Sequence, residues 1–326
     1  MDQGSLNNIF STDAGNFRDR CLEMFRFQYS NNQIYRQWCD AIGYHANKID
    51  DIKAIPFLPI SFFKTHEIRT TDFDAEVVFE SSGTTTTTTS KHFIKDVMLY
   101  KQSFLRAFQQ FYGDPSEYCI VALLPSYLER GGSSLVYMVD ELIRQSKHTQ
   151  SGFYLHEHEQ LAQKLIALEQ STQKIILFGV TYALLDFAEA YPINLKHTTI
   201  IETGGMKGRK KEMTRWEIHE ILKKQFGLKD IHSEYSMTEL LSQAYSTSEG
   251  KFYCPSWMKI LVRSEDDPLD IKQKGRGVIN IIDLANIYSC PFIATDDAGV
   301  LNEEGSFEVL GRVDNSDVRG CSLLVM

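Results

Sequence analysis

The chain has 326 residues, of which 43% are hydrophobic and 12% aromatic, and this composition favours a folded core over a disordered chain. Its formal net charge of −9 argues against a nucleic-acid-binding protein, which normally carries a basic face. The six cysteines are scattered and include no Cys-x-x-Cys pair, so the sequence indicates neither a zinc site nor a disulfide framework.

The N-terminal part predicts helices followed by an extended segment. Residues 1–10 lack the basic start and apolar stretch of a secretory signal, and no run of about 18 apolar residues predicts a transmembrane segment, so we expect a cytoplasmic protein. Apolar residues at helical spacing predict helix over 13–48. Two prolines, Pro56 and Pro59, predict an extended entry segment over 55–64.

A short strand predicted over 76–79 runs into a loop of hydroxyl residues. The loop comprises Ser81, Ser82, Gly83, the six threonines 84–89, Ser90 and Lys91. Hydroxyls and main-chain N–H groups can donate to an anion, the glycine permits unusual backbone angles, and the lysine adds positive charge. The Gly-Lys step of P-loop NTPases is missing. On these residues alone, an anion-binding loop and a low-complexity threonine linker are both open.

Short apolar strands then alternate with helices. Strands are predicted over 118–124, 152–155, 174–178 and 198–202, and helices over 95–111, 133–146, 157–169, 182–189 and 210–226. This alternation predicts an α/β domain with a largely parallel sheet flanked by helices. Beyond residue 227 only strands are predicted, over 231–235, 257–262, 277–283, 292–294 and 307–309. The predicted organisation is therefore an α/β core (1–227), a small β-rich part (228–310) and a tail (311–326).

Loops that follow the predicted strands are the candidate site, because ligands of open α/β sheets bind beyond the carboxyl ends of strands. Gly131-Gly132 and Gly204-Gly205 lie in two such loops, and paired glycines allow the backbone to approach a flat ligand. Thr238-Glu239 lies in a third. A Thr-Glu step can supply a hydroxyl for a phosphate and a carboxylate for Mg²⁺.

Taken in order, five motifs resemble those of the adenylate-forming superfamily of acyl-CoA synthetases, luciferases and peptide-synthetase adenylation domains. The motifs are the hydroxyl loop 81–91, Gly204-Gly205, Tyr235-Ser236-Met237-Thr238-Glu239, Thr295-Asp296-Asp297 and Gly311-Arg312-Val313-Asp314. The entry segment 55–64 and the ending 311–324 look most like the acyl-protein synthetase branch, the LuxE-like long-chain-fatty-acid–luciferin-component ligases. The resemblance covers nearly the whole chain.

The resemblance implies that ATP and Mg²⁺ are bound and that a carboxylic acid, in this branch a fatty acid, is converted to an acyl-adenylate. It gives the β- and γ-phosphates to Lys91, the α-phosphate to Thr238, Mg²⁺ to Glu239, the ribose hydroxyls to Asp297, and ribose or phosphate to Arg312. Without it, Asp297 reads as a turn aspartate and Arg312 as a surface arginine. The other residues that it assigns to the nucleotide are Ser81, Ser82, Gly83, Thr84, Thr85, Thr86, Gly204, Gly205, Tyr235, Ser236 and Met237.

Two further assignments concern the acid substrate and the acyl group. Tyr127 occupies the place where many superfamily members put an aromatic residue or histidine beside the acid, and Gly131 is assigned with it; a partly buried tyrosine is the alternative. The resemblance makes Cys321 the acyl acceptor, from which the group passes to a partner protein such as a reductase or carrier. The neighbouring Arg319 favours a thiolate there, whereas spacing alone favours a core cysteine.

The sequence departs from most of the superfamily at its end. The chain stops twelve residues after Asp314, so the C-terminal lid domain is expected to be essentially absent and its lysine has no counterpart. Either another basic residue (Lys91, Arg312 or Lys207) replaces it, or activation is slow, or the chain is degenerate. Two alternatives stay open: an aryl- or acyl-CoA ligase related to phenylacetate–CoA ligase, and a nucleotide-binding scaffold without chemistry.

Overall fold

The computed structural model describes residues 9–44, 49–81, 88–124, 132–204 and 213–313, and strands and helices alternate along much of this part of the chain. The helices are α1 (Phe17–Asn31), α2 (Gln33–Ala41), α3 (Phe62–Thr65), α4 (Val97–Tyr112), α5 (Ser134–Ser146), α6 (His158–Glu169), α7 (Thr181–Ala190) and α8 (Arg215–Phe226). The strands are β1 (Leu58–Pro59), β2 (Val77–Glu80), β3 (Lys91–Ile94), β4 (Tyr118–Leu123), β5 (Gly152–Tyr154), β6 (Lys174–Val180), β7 (Thr198–Thr203), β8 (His232–Tyr235), β9 (Ala244–Ser246), β10 (Met258–Arg263), β11 (Ile271–Lys272), β12 (Gly275–Asp283), β13 (Phe292–Leu301) and β14 (Phe307–Arg312).

The central sheet is the predicted parallel one. Its strand order is β5-β4-β6-β7-β8-β9, and all neighbours are parallel except β8 and β9. Strands β4 and β6 are almost continuously buried, as expected for parallel strands with near-continuous apolar sequences. The α/β class predicted from the alternation is therefore confirmed.

Local sequence signals fix the ends of the helices between these strands. Ser133 caps α5, its hydroxyl accepting a hydrogen bond from the N–H of Val136 at 3.3 Å. Helix α8 begins with a capping box in which Thr214 and Glu217 satisfy each other's backbone N–H groups, and it ends at Gly227, whose φ of 66° is left-handed. The predicted helix over 210–226 thus begins at residue 215 within the described part of the chain.

A second sheet has the order β1-β13-β12-β10-β11, with β14 also paired to β13. Its neighbours β10, β11, β12 and β13 pair in antiparallel fashion, whereas β1 joins β13 in parallel. Strands β2 and β3 form a separate two-stranded antiparallel hairpin.

The chain divides into two compact units. The first contains Met1–Phe104, Ser236–Gln243 and Cys254–Val309, and the second contains Leu105–Tyr235, Ala244–Tyr253 and Leu310–Met326. Each unit thus consists of several separate stretches of the chain. The continuous ranges 1–227, 228–310 and 311–326 stay a prediction. No helix among the described residues is long and apolar enough to cross a membrane.

Several predicted elements differ from the structure. The segment predicted as extended over 55–64 ends in the short helix α3 (Phe62–Thr65). The helical region 13–48 is broken at Asn32, whose backbone is extended (φ −109°, ψ 103°) and whose side chain caps α2 by accepting from the N–H of Tyr35 at 3.0 Å. Asn32 also donates to the carbonyl of Ser289 at 2.9 Å, a contact 257 residues away that sequence periodicity cannot register. The strand predicted over 292–294 extends to Leu301 and so includes Thr295-Asp296-Asp297.

Candidate active site

The hydroxyl loop begins and ends on the β2–β3 hairpin. Glu80 pairs with Lys91 across the two strands. One residue further, the N–H of Ser81 donates to the carbonyl of Ser90 at 3.0 Å, and the N–H of Ser90 donates to the hydroxyl of Ser81 at 2.9 Å. The base of the loop is therefore closed by hydrogen bonds. Residues 82–87, which include the predicted Ser82, Gly83, Thr84, Thr85 and Thr86, lie outside the described part of the chain.

Lys91 projects from the first residue of β3 and is about half exposed, as is Glu80. Its Nζ lies 3.4 Å from the Glu80 carboxylate. An exposed ion pair of this kind is worth about 0–1 kcal/mol, so it presents little barrier to Lys91 binding another anion. The ammonium group is thus available at the end of the hydroxyl loop, where the sequence predicted it.

The Thr-Glu step lies in the first unit, in the segment Ser236–Gln243, and is held by its backbone. The carbonyl of Thr238 lies 2.8 Å from Nδ1 of His92, the residue after Lys91. The carbonyl of Glu239 accepts from Nδ2 of Asn286 at 2.7 Å. Thr238 itself is half-buried and Glu239 is buried. The structure therefore joins two of the predicted motifs through a histidine that the motif pattern did not include.

Asp283 anchors the next turn of the same segment. Its Oδ2 accepts from the N–H groups of Leu241 and Ser242 at 2.9 and 3.0 Å, and its Oδ1 accepts from the Ser242 hydroxyl at 2.6 Å. Ser242 also accepts a hydrogen bond from the Trp257 indole at 2.9 Å. Burial raises the pKa of Asp283 and these donors partly offset the rise. The Asp283 carboxylate thus holds the backbone of this segment and is not assigned to ligand binding.

The Thr-x-Asp motif lies within β13 in the first unit. The Thr295 hydroxyl is buried and donates to the carbonyl of Ile279 at 2.8 Å, and it also accepts from the N–H of Asp297 at 3.1 Å. The carbonyl of Thr295 accepts from Arg263 at 2.6 Å. Burial lowers the pKa of the Arg263 guanidinium and the charge of Asp296 offsets part of that effect. Asp296 and Asp297 are both half-buried, so burial alone does not decide which of the two carboxylates is suited to contact a ligand.

In the second unit, Gly204 follows β7 in a left-handed conformation (φ 77°) and is exposed. Its carbonyl accepts from the Thr181 hydroxyl at 2.6 Å, and the same hydroxyl bonds to the carboxylate of Glu202. Only a glycine adopts such a backbone angle at low cost. The predicted partner, Gly205, lies outside the described residues.

Glu202 is buried, 3% exposed, and forms a network that the sequence analysis did not identify. Its Oε2 accepts from the Ser233 hydroxyl at 3.1 Å and lies 3.8 Å from Nε of Arg215 and 4.0 Å from Nε2 of His219. Burial alone would raise the pKa of Glu202, but His219, Arg215 and Thr181 outweigh it and lower that pKa below its ordinary value. A charged carboxylate thus lies two residues before Gly204.

Of the remaining predicted site residues, four are described by the structure and three are not. Tyr235 ends β8 and is buried beside Phe252, with 5.9 Å between ring centroids, whereas Arg312 ends β14 and is exposed. Ser236 and Met237 are half-buried in the first unit. Tyr127, Gly131 and Cys321 lie outside the described residues.

The five cysteines of the described chain behave as core residues. Cys21, Cys39, Cys119 and Cys290 are fully buried and Cys254 is half-buried. Burial raises the thiol pKa of each of them, that of Cys39 to about 12. A thiol with a raised pKa is a poor nucleophile near neutral pH. No cluster of three or more potential metal ligands from His, Cys, Asp and Glu occurs among the described residues.

Two curated proteins and one solved structure illustrate what the chain resembles. The "Long-chain-fatty-acid--luciferin-component ligase" of Vibrio harveyi is 26% identical, with 92% of this chain and 84% of that protein aligned. The protein of the same description from Aliivibrio fischeri is 23% identical, with 94% and 87% aligned. ATP-bound MatB from Rhodopseudomonas palustris matches with a TM-score of 0.53 at 14% identity, over 72% of this chain and 47% of that structure.

These comparisons agree with the geometry. At 14% identity the likeness to MatB shows the fold alone, which is that of the N-terminal domain of adenylate-forming enzymes, and the chain spans about half the length of that structure. The two relatives, by contrast, align along most of their length. A family model described as "Acyl-protein synthetase, LuxE" matches residues 10–326, and the chain therefore belongs to the acyl-protein synthetase (LuxE) family of ligases.

Proposed function

We propose that the chain uses ATP to activate a long-chain fatty acid as an acyl-adenylate, transfers the acyl group to Cys321, and passes it on to a partner protein. The observation that carries the proposal is the family match over residues 10–326, which includes every segment assigned to the nucleotide and Cys321. The names of the two relatives indicate a long-chain fatty acid and a luciferin component as the protein acceptor.

The described residues are suited to binding a nucleoside triphosphate. The half-exposed Lys91 and the hydrogen-bonded base of the hydroxyl loop are suited to the β- and γ-phosphates. Thr238 would contact the α-phosphate, and the buried Glu239 would bind Mg²⁺. This ion is usually bound by one or two carboxylates together with phosphate oxygens. Bound Mg²⁺ would neutralise phosphate charge. Asp297 would accept the ribose hydroxyls, and the exposed Arg312 would bind ribose or phosphate.

The chemistry divides into three transfers. An oxygen of the fatty-acid carboxylate attacks the α-phosphorus of ATP, the bond from that phosphorus to the bridging oxygen breaks, and pyrophosphate leaves. The Cys321 thiolate then attacks the acyl carbon and AMP leaves with the electrons of the broken C–O bond. A nucleophile on the partner protein finally displaces the thiolate. Lys91, Thr238 and the loop donors stabilise charge in the first transfer.

The test combines two measurements on the same samples: fatty-acid-dependent exchange of pyrophosphate into ATP, and intact-mass spectrometry. We expect exchange with long-chain acids and an acyl-sized mass increase. Cys321→Ser should abolish the mass increase and preserve exchange, whereas Cys254→Ser, at the least buried of the five described cysteines, should preserve both.

Other outcomes point to other functions. Exchange without a mass increase, with AMP formation that needs coenzyme A and survives Cys321→Ser, would replace the proposal with a CoA ligase. ATP binding without exchange for any acid would leave only a nucleotide-binding scaffold.

A further inference from the structure

His92 is a polar side chain in an apolar position of the first unit, and the proposed chemistry gives it no task. It lies in β3, directly after Lys91 and opposite Phe79 of β2, and is 1% exposed. Its ring meets the edge of Phe63, with 5.8 Å between centroids and an angle of 85°. A buried polar group without a hydrogen bond costs free energy, so its one described polar contact needs an explanation.

That contact is the hydrogen bond to the backbone of Thr238, 2.8 Å from Nδ1 to the carbonyl oxygen. A carbonyl oxygen only accepts hydrogen bonds, so Nδ1 must carry the hydrogen. Burial in turn disfavours a second proton on the ring and lowers the pKa of His92 to about 4. Near neutral pH the ring is therefore the neutral Nδ1–H tautomer.

The bond joins residues that are 146 positions apart in the chain. Side chains alternate across a strand, so the buried His92 and the exposed Lys91 point to opposite faces of β3. Holding the imidazole therefore also fixes the strand from which the Lys91 ammonium projects. One side chain thus sets the position of both Lys91 and Thr238.

Other side chains hold the segment beyond Thr238. Asn286 binds the carbonyl of Glu239, and Asp283 binds the N–H groups of Leu241 and Ser242. Loss of the His92 bond would therefore leave the later residues anchored and release the segment at Thr238 alone. A local effect of this kind separates positioning from general folding.

We propose that His92 is a positioning residue, whose Nδ1–H group sets the Thr238 carbonyl at a fixed place relative to Lys91 and so aligns the two phosphate-binding segments. The proposal rests on the proposed function, because that function assigns Lys91 and Thr238 to the phosphates of ATP. His92 acts only through these neighbours and is given no contact with substrate.

The first experiment compares His92→Leu with His92→Asn. Leucine removes the donor, whereas the asparagine side-chain N–H₂ group lies about as far from Cα as Nδ1 and can donate to the same carbonyl. A displacement near 1 Å can cost about 100-fold in rate. We expect His92→Leu to lower kcat for fatty-acid-dependent pyrophosphate exchange by about that factor, with a smaller change in KM for ATP, and His92→Asn to recover most of it. His66→Leu, at an exposed histidine of the same unit, is the matched control and should change neither.

A second readout does not need catalysis. In ¹⁵N-histidine NMR spectra of the full chain, which has nine histidines, the signal lost in His92→Asn should show a protonated Nδ1 and an unprotonated Nε2. An Nε2–H tautomer would overturn the inferred bond. Wild-type rates in a folded His92→Leu variant would overturn the positioning role and leave the proposed function intact.

ATP affinity, measured by calorimetry, separates failure of the two proposals. If the wild type shows no exchange but His92→Leu weakens ATP binding by about tenfold or more, the proposed reaction fails and the positioning role of His92 stands. If ATP binds equally to both and no exchange occurs, both proposals are wrong.

Discussion

Thr181 shows how one hydroxyl can fix a loop. It is 1% exposed and its single hydroxyl hydrogen faces two acceptors, the Glu202 carboxylate and the Gly204 carbonyl. The carboxylate is itself held by Ser233 and lies near Arg215. Gly204, which the resemblance assigns to the nucleotide, is thus connected to a buried charged network in the second unit.

We predict that Thr181→Val destabilises the protein by about 2 kcal/mol, because the isosteric change leaves the buried Glu202 carboxylate and the Gly204 carbonyl without this donor. Thr181→Ser keeps the hydroxyl and should cost less than about 1 kcal/mol. Urea unfolding measures both free energies. Thr199→Val, at a half-exposed threonine of β7, is the control and should have little effect. A Thr181→Val protein as stable as the wild type would show that the hydroxyl is dispensable.

Residues named by motif and residues found in the structure differ for a physical reason. Thr238, Glu239 and Lys91 are predictable because their motifs are short and continuous, and the structure describes all three. His92 and Glu202 are not predictable in this way. Their partners lie 146 and 21 to 31 positions away, so only the fold reveals the bonds.

At the scale of elements, the hydroxyl run illustrates what composition leaves open. A threonine linker and an anion-binding loop have the same sequence. The pairing of Glu80 with Lys91 and the two hydrogen bonds between Ser81 and Ser90 show that the run connects the two strands of a hairpin, whereas its binding of an anion stays a prediction. The strand over 76–79 was predictable from its apolar residues. Its partner β3 was not, because the motif pattern assigns Lys91, the first residue of that strand, to the loop.

The same hairpin supports a prediction about charge. Glu80 neutralises part of the charge that Lys91 would present to phosphate, so Glu80→Gln should strengthen ATP binding by about two- to fivefold at low salt, and the gain should shrink as salt is added. Stability should change by less than about 0.5 kcal/mol because the pair is exposed. Calorimetric titration with ATP provides the affinities.

Glu117→Gln is the matched control for that experiment. It breaks the pair between Glu117 and Lys174, which is as exposed as the pair on the hairpin. This change should leave ATP affinity unaltered. Equal gains from both variants would mean that net charge alone governs binding; no gain from Glu80→Gln would contradict a phosphate role for Lys91.

For the whole molecule, the alternation of strands and helices was enough to predict the α/β class, and five motifs in order carried the family resemblance; both are confirmed. Which stretches of the chain form each of the two units was not predictable. Ser236–Gln243 belongs to the first unit although the chain on both sides belongs to the second. Such an excursion depends on contacts such as those of Asp283 with Leu241 and Ser242, which connect residues about 40 positions apart.

Stability toward acid is a property of the whole molecule to which the buried His92 and the half-buried His232 should contribute. Burial lowers the pKa of His92 in the first unit and of His232 in the second to about 4, with Asp230 opposing the effect at His232. In the unfolded chain each would have a pKa of about 6.5. Between pH 6.5 and 4 the unfolded state therefore binds protons that the folded state does not, and stability must fall as the pH is lowered through this range.

His232 allows that effect to be tested. Its Nδ1 lies 3.2 Å from the Tyr112 hydroxyl and its ring stacks on the Tyr112 ring. A difference of about 2.5 pKa units corresponds to at most about 3 kcal/mol. We predict that His232→Asn lowers the unfolding free energy at pH 7 but reduces its loss between pH 7 and 4 by about 2–3 kcal/mol, whereas His66→Asn, at an exposed site, leaves the loss unchanged. Urea unfolding at several pH values measures the slopes, and parallel curves for His232→Asn and the wild type would refute a neutral, half-buried His232, because a group that titrates alike in both states contributes nothing to the slope.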